Sequence, residues 1–84
     1  MPTTLIITTS RARGVSDIAS LLLSANHRLR FVTLDYLSGD DFTDVTLCVQ
    51  IYDQNNLSTE KRLLLDDYRS QVRFVTPDDI TSIA

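Results

Sequence analysis

The stretch TTLIITTSRARGVSDIASLLLSAN, residues 3–26, decides the fold that the sequence predicts. Its first part is rich in β-branched residues around a continuous apolar run, which predicts a short strand over residues 3–9 in the middle of a sheet. From Val15 the apolar residues recur at helical spacing, which predicts a helix over residues 15–26. Residues 10–14 break both patterns and are predicted to form a loop.

The remaining chain holds two more strands, a second helix and a last strand. Residues 29–37 are enriched in aromatic and β-branched residues, and Val45–Ile51 alternate as a strand with one face in the core does. The polar stretch between them predicts a turn, so we expect these two strands to form an antiparallel hairpin. A helix over residues 57–70 and a strand over residues 71–76 follow.

The predicted order β, α, β, β, α, β is typical of the split βαββαβ type. We therefore expect one α+β, ferredoxin-like domain over residues 1–84, with its core in residues 3–77 and a tail of undefined form in residues 78–84. Its four-stranded antiparallel sheet would carry both helices on one face. A domain of 84 residues buries only about three-fifths of its unfolded surface, so its stability is marginal.

Composition restricts the possible classes of function. The net charge of −3 argues against nucleic acid as a partner, because such proteins present a basic surface. No apolar run approaches the ~20 residues that span a bilayer, and the amino terminus has no export-signal pattern. We expect a cytoplasmic protein with no membrane partner. One cysteine and one histidine exclude an internal disulfide and a Cys/His zinc site, which leaves association with another protein as the route to added stability.

Catalysis has little support in the sequence. Cys48 lies on a predicted strand, without neighbours in sequence that would lower its pKa. His27 is interpreted as a residue at a helix end, where its charge suits the helix dipole. Adjacent aspartates point in different directions and form no carboxylate dyad. We expect no enzyme activity, no cofactor and no metal.

The loop of residues 10–14 is the candidate binding site. It leads into the amino terminus of a predicted helix, whose free backbone N–H groups can bind a carboxylate. Gly14 either lets the chain approach such a ligand closely or only makes a tight strand-to-helix turn. The residues alone leave both interpretations open.

Arg13-Gly14-Val15 opening an apolar helix, followed by Arg28-Leu29 at the start of a strand, resembles the ACT domain. The length and order are most similar to the small regulatory subunit of acetolactate synthase (acetohydroxyacid synthase). This resemblance implies a homodimer, a branched-chain amino-acid effector near Gly14, and a catalytic large subunit as partner. The effector-binding residues that it implies are Arg11, Arg13, Gly14, Val15 and Arg28.

Two departures from the family pattern bear on this effector site. Arg13 stands where the family has proline, and Arg11 where it has asparagine. Arg11 could pair with an effector carboxylate, or it could fill the site and leave a constitutive activator. The competing hypothesis is a stand-alone dimerisation or protein-interaction module that binds no small ligand.

Overall fold

The computed structural model contains a four-stranded sheet with helices on both of its faces. The structure describes residues 3–9 and 14–83, with the side chains of these residues up to Ile80. The strands are β1 (Thr3–Thr8), β2 (Arg28–Thr33), β3 (Val45–Ile51) and β4 (Arg73–Val75). The helices are α1 (Val15–Ser24), α2 (Thr59–Tyr68) and α3 (Pro77–Ile83).

All pairs of neighbouring strands are parallel, in the order β2-β1-β3-β4. The predicted antiparallel ferredoxin-like sheet is therefore wrong. The predicted hairpin is wrong as well, because β1 lies between β2 and β3: Ile6 of β1 has Phe31 on one side and Val49 on the other. The placement of β1 inside the sheet is confirmed. The observed order is that of an open, doubly wound sheet.

Burial of β1 on both faces explains the parallel arrangement. Leu5, Ile6 and Ile7 are all 0% exposed. Leu5 and Ile7 contribute to a cluster that includes Leu65 of α2, whereas Ile6 contributes to the opposite cluster, which includes Ile80 of α3. A continuous apolar run is what a parallel strand covered by two layers requires. Residues 78–83 of the tail, for which the sequence predicts no defined form, belong to α3.

β3 is also covered on both faces, in contrast to the predicted half-exposed strand. Leu47 faces the α1 and α3 side, and Cys48 faces the α2 side. A register shift pairs Thr3 with Val45 but Thr4 with Leu47, which leaves Thr46 as an exposed bulge residue. The bulge transfers Val45 to the α2 side, because one extra residue reverses the alternation of faces.

The residues at the helix termini explain both limits of α1 and the start of α2. α1 follows Gly14 and ends before Asn26, whose φ of 65° places it in the left-handed region that closes helices. α2 is capped by Ser58, whose Oγ accepts a hydrogen bond from the Lys61 N–H at 3.2 Å.

The crossover segment, residues 34–44, connects β2 to β3 across the α2 face of β1. It contains two short 3-10 turns, and its Leu37 and Phe42 are buried in the cluster on that face. Arg30 of β2 donates to the carbonyl oxygens of Asp41 at 2.8 Å and Thr43 at 3.0 Å. This segment takes the place of a helix in covering β1.

α2 holds the crossover segment from the other side. Lys61 Nζ donates to the Leu37 carbonyl oxygen at 2.9 Å. The rings of Phe42 and Tyr68 stack with centroids 4.3 Å apart, and Tyr68 Oη lies 3.4 Å from the Gly39 carbonyl oxygen. A Cβ on Gly39 would meet Tyr68 Oη at 2.7 Å, so this position requires glycine as long as the tyrosine ring is held by its stack.

We expect Gly39→Ala to lower the free energy of unfolding by about 1–3 kcal/mol, because the new methyl group collides with the Tyr68 hydroxyl. In a Tyr68→Phe background the same change should cost less than half as much, because the colliding oxygen is gone. Urea unfolding of the four proteins in this double-mutant cycle measures the difference. Equal costs in both backgrounds would show that Gly39 does not pack against α2.

Candidate functional site

The carboxyl ends of all four strands lie at one edge of the sheet, because the strands are parallel. All three helices begin at this edge, since each follows directly after a strand. The strand order changes direction between β1 and β3, with β2 on one side and β4 on the other. Open parallel sheets bind ligands in the crevice outside the carboxyl ends at such a switch point. We call this place the switch-point crevice.

The first wall of the crevice is the end of β1 and the start of α1. Thr8 pairs with Ile51 of β3, so Thr9 and Tyr52 leave the sheet side by side. Gly14 is exposed and has a φ of 78°, and no side chain of the described residues caps the start of α1. The first intrahelical acceptor is the Gly14 carbonyl oxygen, which bonds the Ile18 N–H at 3.1 Å. The N–H groups of the first turn therefore have no intrahelical partner.

The second wall is the polar segment that joins β3 to α2. The Asp53 carboxylate accepts hydrogen bonds from the Asn55 N–H at 3.0 Å and the Asn56 Nδ2 at 3.1 Å. These bonds close a 3-10 turn, Gln54–Asn56, and fix the carboxylate within the segment that follows β3. The second wall thus carries one carboxylate and several side-chain amides.

A buried polar pair supports the base of this second wall. Tyr52 Oη donates to Gln50 Oε1 at 2.7 Å, and Gln50 is only 6% exposed. Burial raises the pKa of the Tyr52 phenol well above its ordinary 10.0, with a smaller contribution of the same sign from Cys48. The phenol therefore remains a neutral donor that satisfies Gln50 and orients the end of β3.

The predicted effector residues fall into three groups. Arg11 and Arg13 lie outside the described residues. Gly14 and Val15 lie at the switch-point crevice, at the start of α1. Arg28 is the first residue of β2 and pairs with Thr3, the first residue of β1. It therefore lies at the amino-terminal ends of the strands, whereas the crevice lies at their carboxyl ends. Within one copy of the chain, Arg28 is therefore not brought together with Gly14.

The apolar periodicity of the sequence gives no reason to single out residues 53–56, which form the second wall. Their signal is the sequence Asp-Gln-Asn-Asn directly after a strand. That signal becomes informative only when β3 is known to lie beside β1 in parallel.

The cysteine and the histidine of this chain both lie away from the switch-point crevice. Cys48 is 0% exposed, and burial raises the pKa of its thiol from 9.0 to about 12. His27 Nδ1 lies 2.8 Å from Oγ1 of the fully buried Thr4, near the amino edge of the sheet. Among the described residues, no group of three or more His, Cys, Asp or Glu side chains is placed to hold a metal ion.

A shallow groove of about 340 Å³ lies elsewhere, on the outer surface of α1. The described residues that line it are spaced as one helix face, namely Asp17, Ser20, Leu21 and Ser24. It contains no buried polar side chain to orient a ligand. We therefore give the switch-point crevice precedence over this groove.

Comparison with known proteins adds no relative: no family model, curated protein or solved structure matches the chain. Within the described part of the chain, no helix has the length and apolar character needed to cross a membrane.

The buried thiol gives the protein a specific pH dependence. Unfolded Cys48 loses its proton near pH 9.0 and folded Cys48 near pH 12, so between these values the unfolded chain binds fewer protons. The free energy of unfolding should therefore fall as pH rises above 9, by up to about 1.4 kcal/mol per pH unit from this group, and this contribution is constant below pH 9.

Urea unfolding of the native protein and of Cys48→Ala, from neutral pH to about pH 11, tests this dependence. The variant should be less stable at neutral pH and should lose the contribution of the thiol to the alkaline slope. The slope that remains includes the contribution of the Tyr52 phenol, whose pKa burial also raises. Identical slopes for the two proteins would contradict the burial of Cys48.

Proposed function

We propose that this chain is a non-catalytic regulatory module that binds a small amino acid in the switch-point crevice. The observation that carries the proposal is the strand order β2-β1-β3-β4, which sets the end of β1, the strand that leads to α1, beside the end of β3. The two walls differ in charge. This difference matches the two charged groups of a free amino acid.

The α1 wall suits the carboxylate of the ligand. It offers the uncapped N–H groups that follow Gly14, at the positive end of the helix dipole. The sequence adds Arg11 and Arg13 between Thr9 and Gly14, and guanidinium groups bind carboxylates in a bidentate manner. Asp17 in the first turn is the one opposing charge of α1.

The β3 wall suits the ammonium group. The Asp53 carboxylate is exposed and held by two hydrogen bonds within its own turn, so little further ordering is needed when a cation binds. The neighbouring amides of Gln54 and Asn55 are exposed and can accept hydrogen bonds from the same group.

The proposal includes no catalytic role, and the positions of Cys48 and His27 support this. Cys48 is buried and protonated at neutral pH, and His27 is bonded to Thr4 away from the crevice. A regulatory role beside acetolactate synthase stays a prediction. It was based on a resemblance to the ACT domain, and the antiparallel sheet expected from that resemblance is not present.

Titration calorimetry with valine, leucine and isoleucine tests the proposal directly. At least one of the three should release or absorb heat with a single-site isotherm. The 2-oxo acid of the same carbon skeleton should bind more weakly, because it lacks the ammonium group that Asp53 attracts. No heat from any of the three amino acids would contradict the proposal and favour the interaction module without a ligand.

Paired variants assign the site. Asp53→Asn should weaken amino-acid binding by about tenfold, which corresponds to a charge-assisted contact of about 1.4 kcal/mol, and should leave binding of the 2-oxo acid unchanged. Asp67→Asn removes an equally exposed carboxylate on α2 and should change neither affinity. Equal losses in both variants would indicate a general charge effect and not a site at β3.

A further inference from the structure

β2 forms a sheet edge whose outer side pairs with no described strand. It is six residues long and contains neither glycine nor proline, whereas the opposite edge, β4, has three residues and leads into Pro77. An edge strand presents a row of unpaired N–H and C=O groups to which another strand can bind. Of the two edges, β2 has the length needed for such pairing.

The centre of β2 carries an unusual side chain for an edge. Phe31 is 55% exposed, although its neighbour in the sheet, Ile6, is fully buried. Aromatic residues stabilise antiparallel strand pairs when they lie opposite or diagonal to one another. An exposed phenylalanine at this position favours a partner strand along the edge.

The two ends of the edge carry opposite charges. Arg28 begins β2, and Asp35 lies two residues beyond its end; both are exposed, and neither forms an ion pair with a described residue. The third charged residue, Arg30, donates to the carbonyl oxygens of Asp41 and Thr43, so its charge is held against its own chain. The edge is therefore basic at one end and acidic at the other.

We infer that two copies of this chain pair along β2, antiparallel, about a two-fold axis at Phe31, which joins their sheets into one. The two-fold sets Phe31 beside its counterpart. It also sets Arg28 beside the partner's Asp35. The surface is thus complementary to itself, as a two-fold interface requires.

Distances along the strand support this register. Arg28 lies three extended residues from Phe31, or about 10 Å at ~3.3 Å per residue. Asp35 lies two extended residues and two 3-10 residues beyond Phe31, or about 10–11 Å, because the 3-10 rise is only ~2 Å. The two charges therefore fall level across the axis, and the pair occurs twice.

Analytical ultracentrifugation of the whole chain, from micromolar to sub-millimolar concentration, tests the pairing. The expected mass is twice the 9.5 kDa of one chain. Phe31→Lys should raise the dimer Kd by at least about tenfold, because two like charges then meet at the axis. Leu63→Lys, at a leucine of α2 that is 62% exposed, is the matched control and should leave the Kd unchanged.

A charge exchange separates pairing from any effect on folding. Arg28→Glu and Asp35→Arg should each raise the Kd by about threefold to tenfold, because each breaks a surface ion pair that occurs twice. The double variant should return the Kd to within about threefold of the native value. The inference is overturned by a native chain that is monomeric throughout, by a dimer that Phe31→Lys leaves intact, or by a double variant as weak as either single one.

Discussion

The burial of β1 on both faces is the constraint on which the rest of the structure depends. Leu5, Ile6 and Ile7 exclude water completely, and each gains about 1.5–3 kcal/mol from full burial. Covering both faces requires two layers, and α1, α2, α3 and the crossover segment supply them. The segments that join consecutive strands must therefore cross over a face of the sheet. Strands that are joined by such crossovers are parallel.

The same constraint brings together the strand ends at which the binding site is proposed. Parallel strands place every strand-to-helix connection at one side, so the ends of β1 and β3 become neighbours although 43 positions separate Thr8 from its partner Ile51. The binding site proposed at this edge therefore depends on the packing beneath it. The two hydrogen bonds of Arg30 and the contact between Lys61 and Leu37 fix the crossover segment, which keeps β2 and β3 on opposite sides of β1.

The sequence predicts the type and order of the first six elements, because each has its own apolar periodicity. The topology is not predicted, because Leu34–Tyr36 continue the apolar pattern of β2 but form a 3-10 turn. When these residues are counted as strand, the eleven-residue crossover is reduced to a short polar turn, which is typical of a hairpin. The unbroken apolar run Leu5–Ile7 predicts the central position of β1, and such a run is also typical of a parallel strand that is covered on both faces. At the site, Gly14 is predictable from its local turn, whereas Asp53 is not, because its role depends on a distant strand pairing.

Nuclear Overhauser effects between backbone protons in isotope-labelled protein test the parallel order most directly. The account predicts amide-to-Hα contacts from Ile6 to the strand of Phe31 on one side and to the strand of Val49 on the other. Strong Hα-to-Hα contacts between β2 and β3 would show that these strands pair directly as an antiparallel hairpin. That result would contradict the central position of β1 and the crevice built on it.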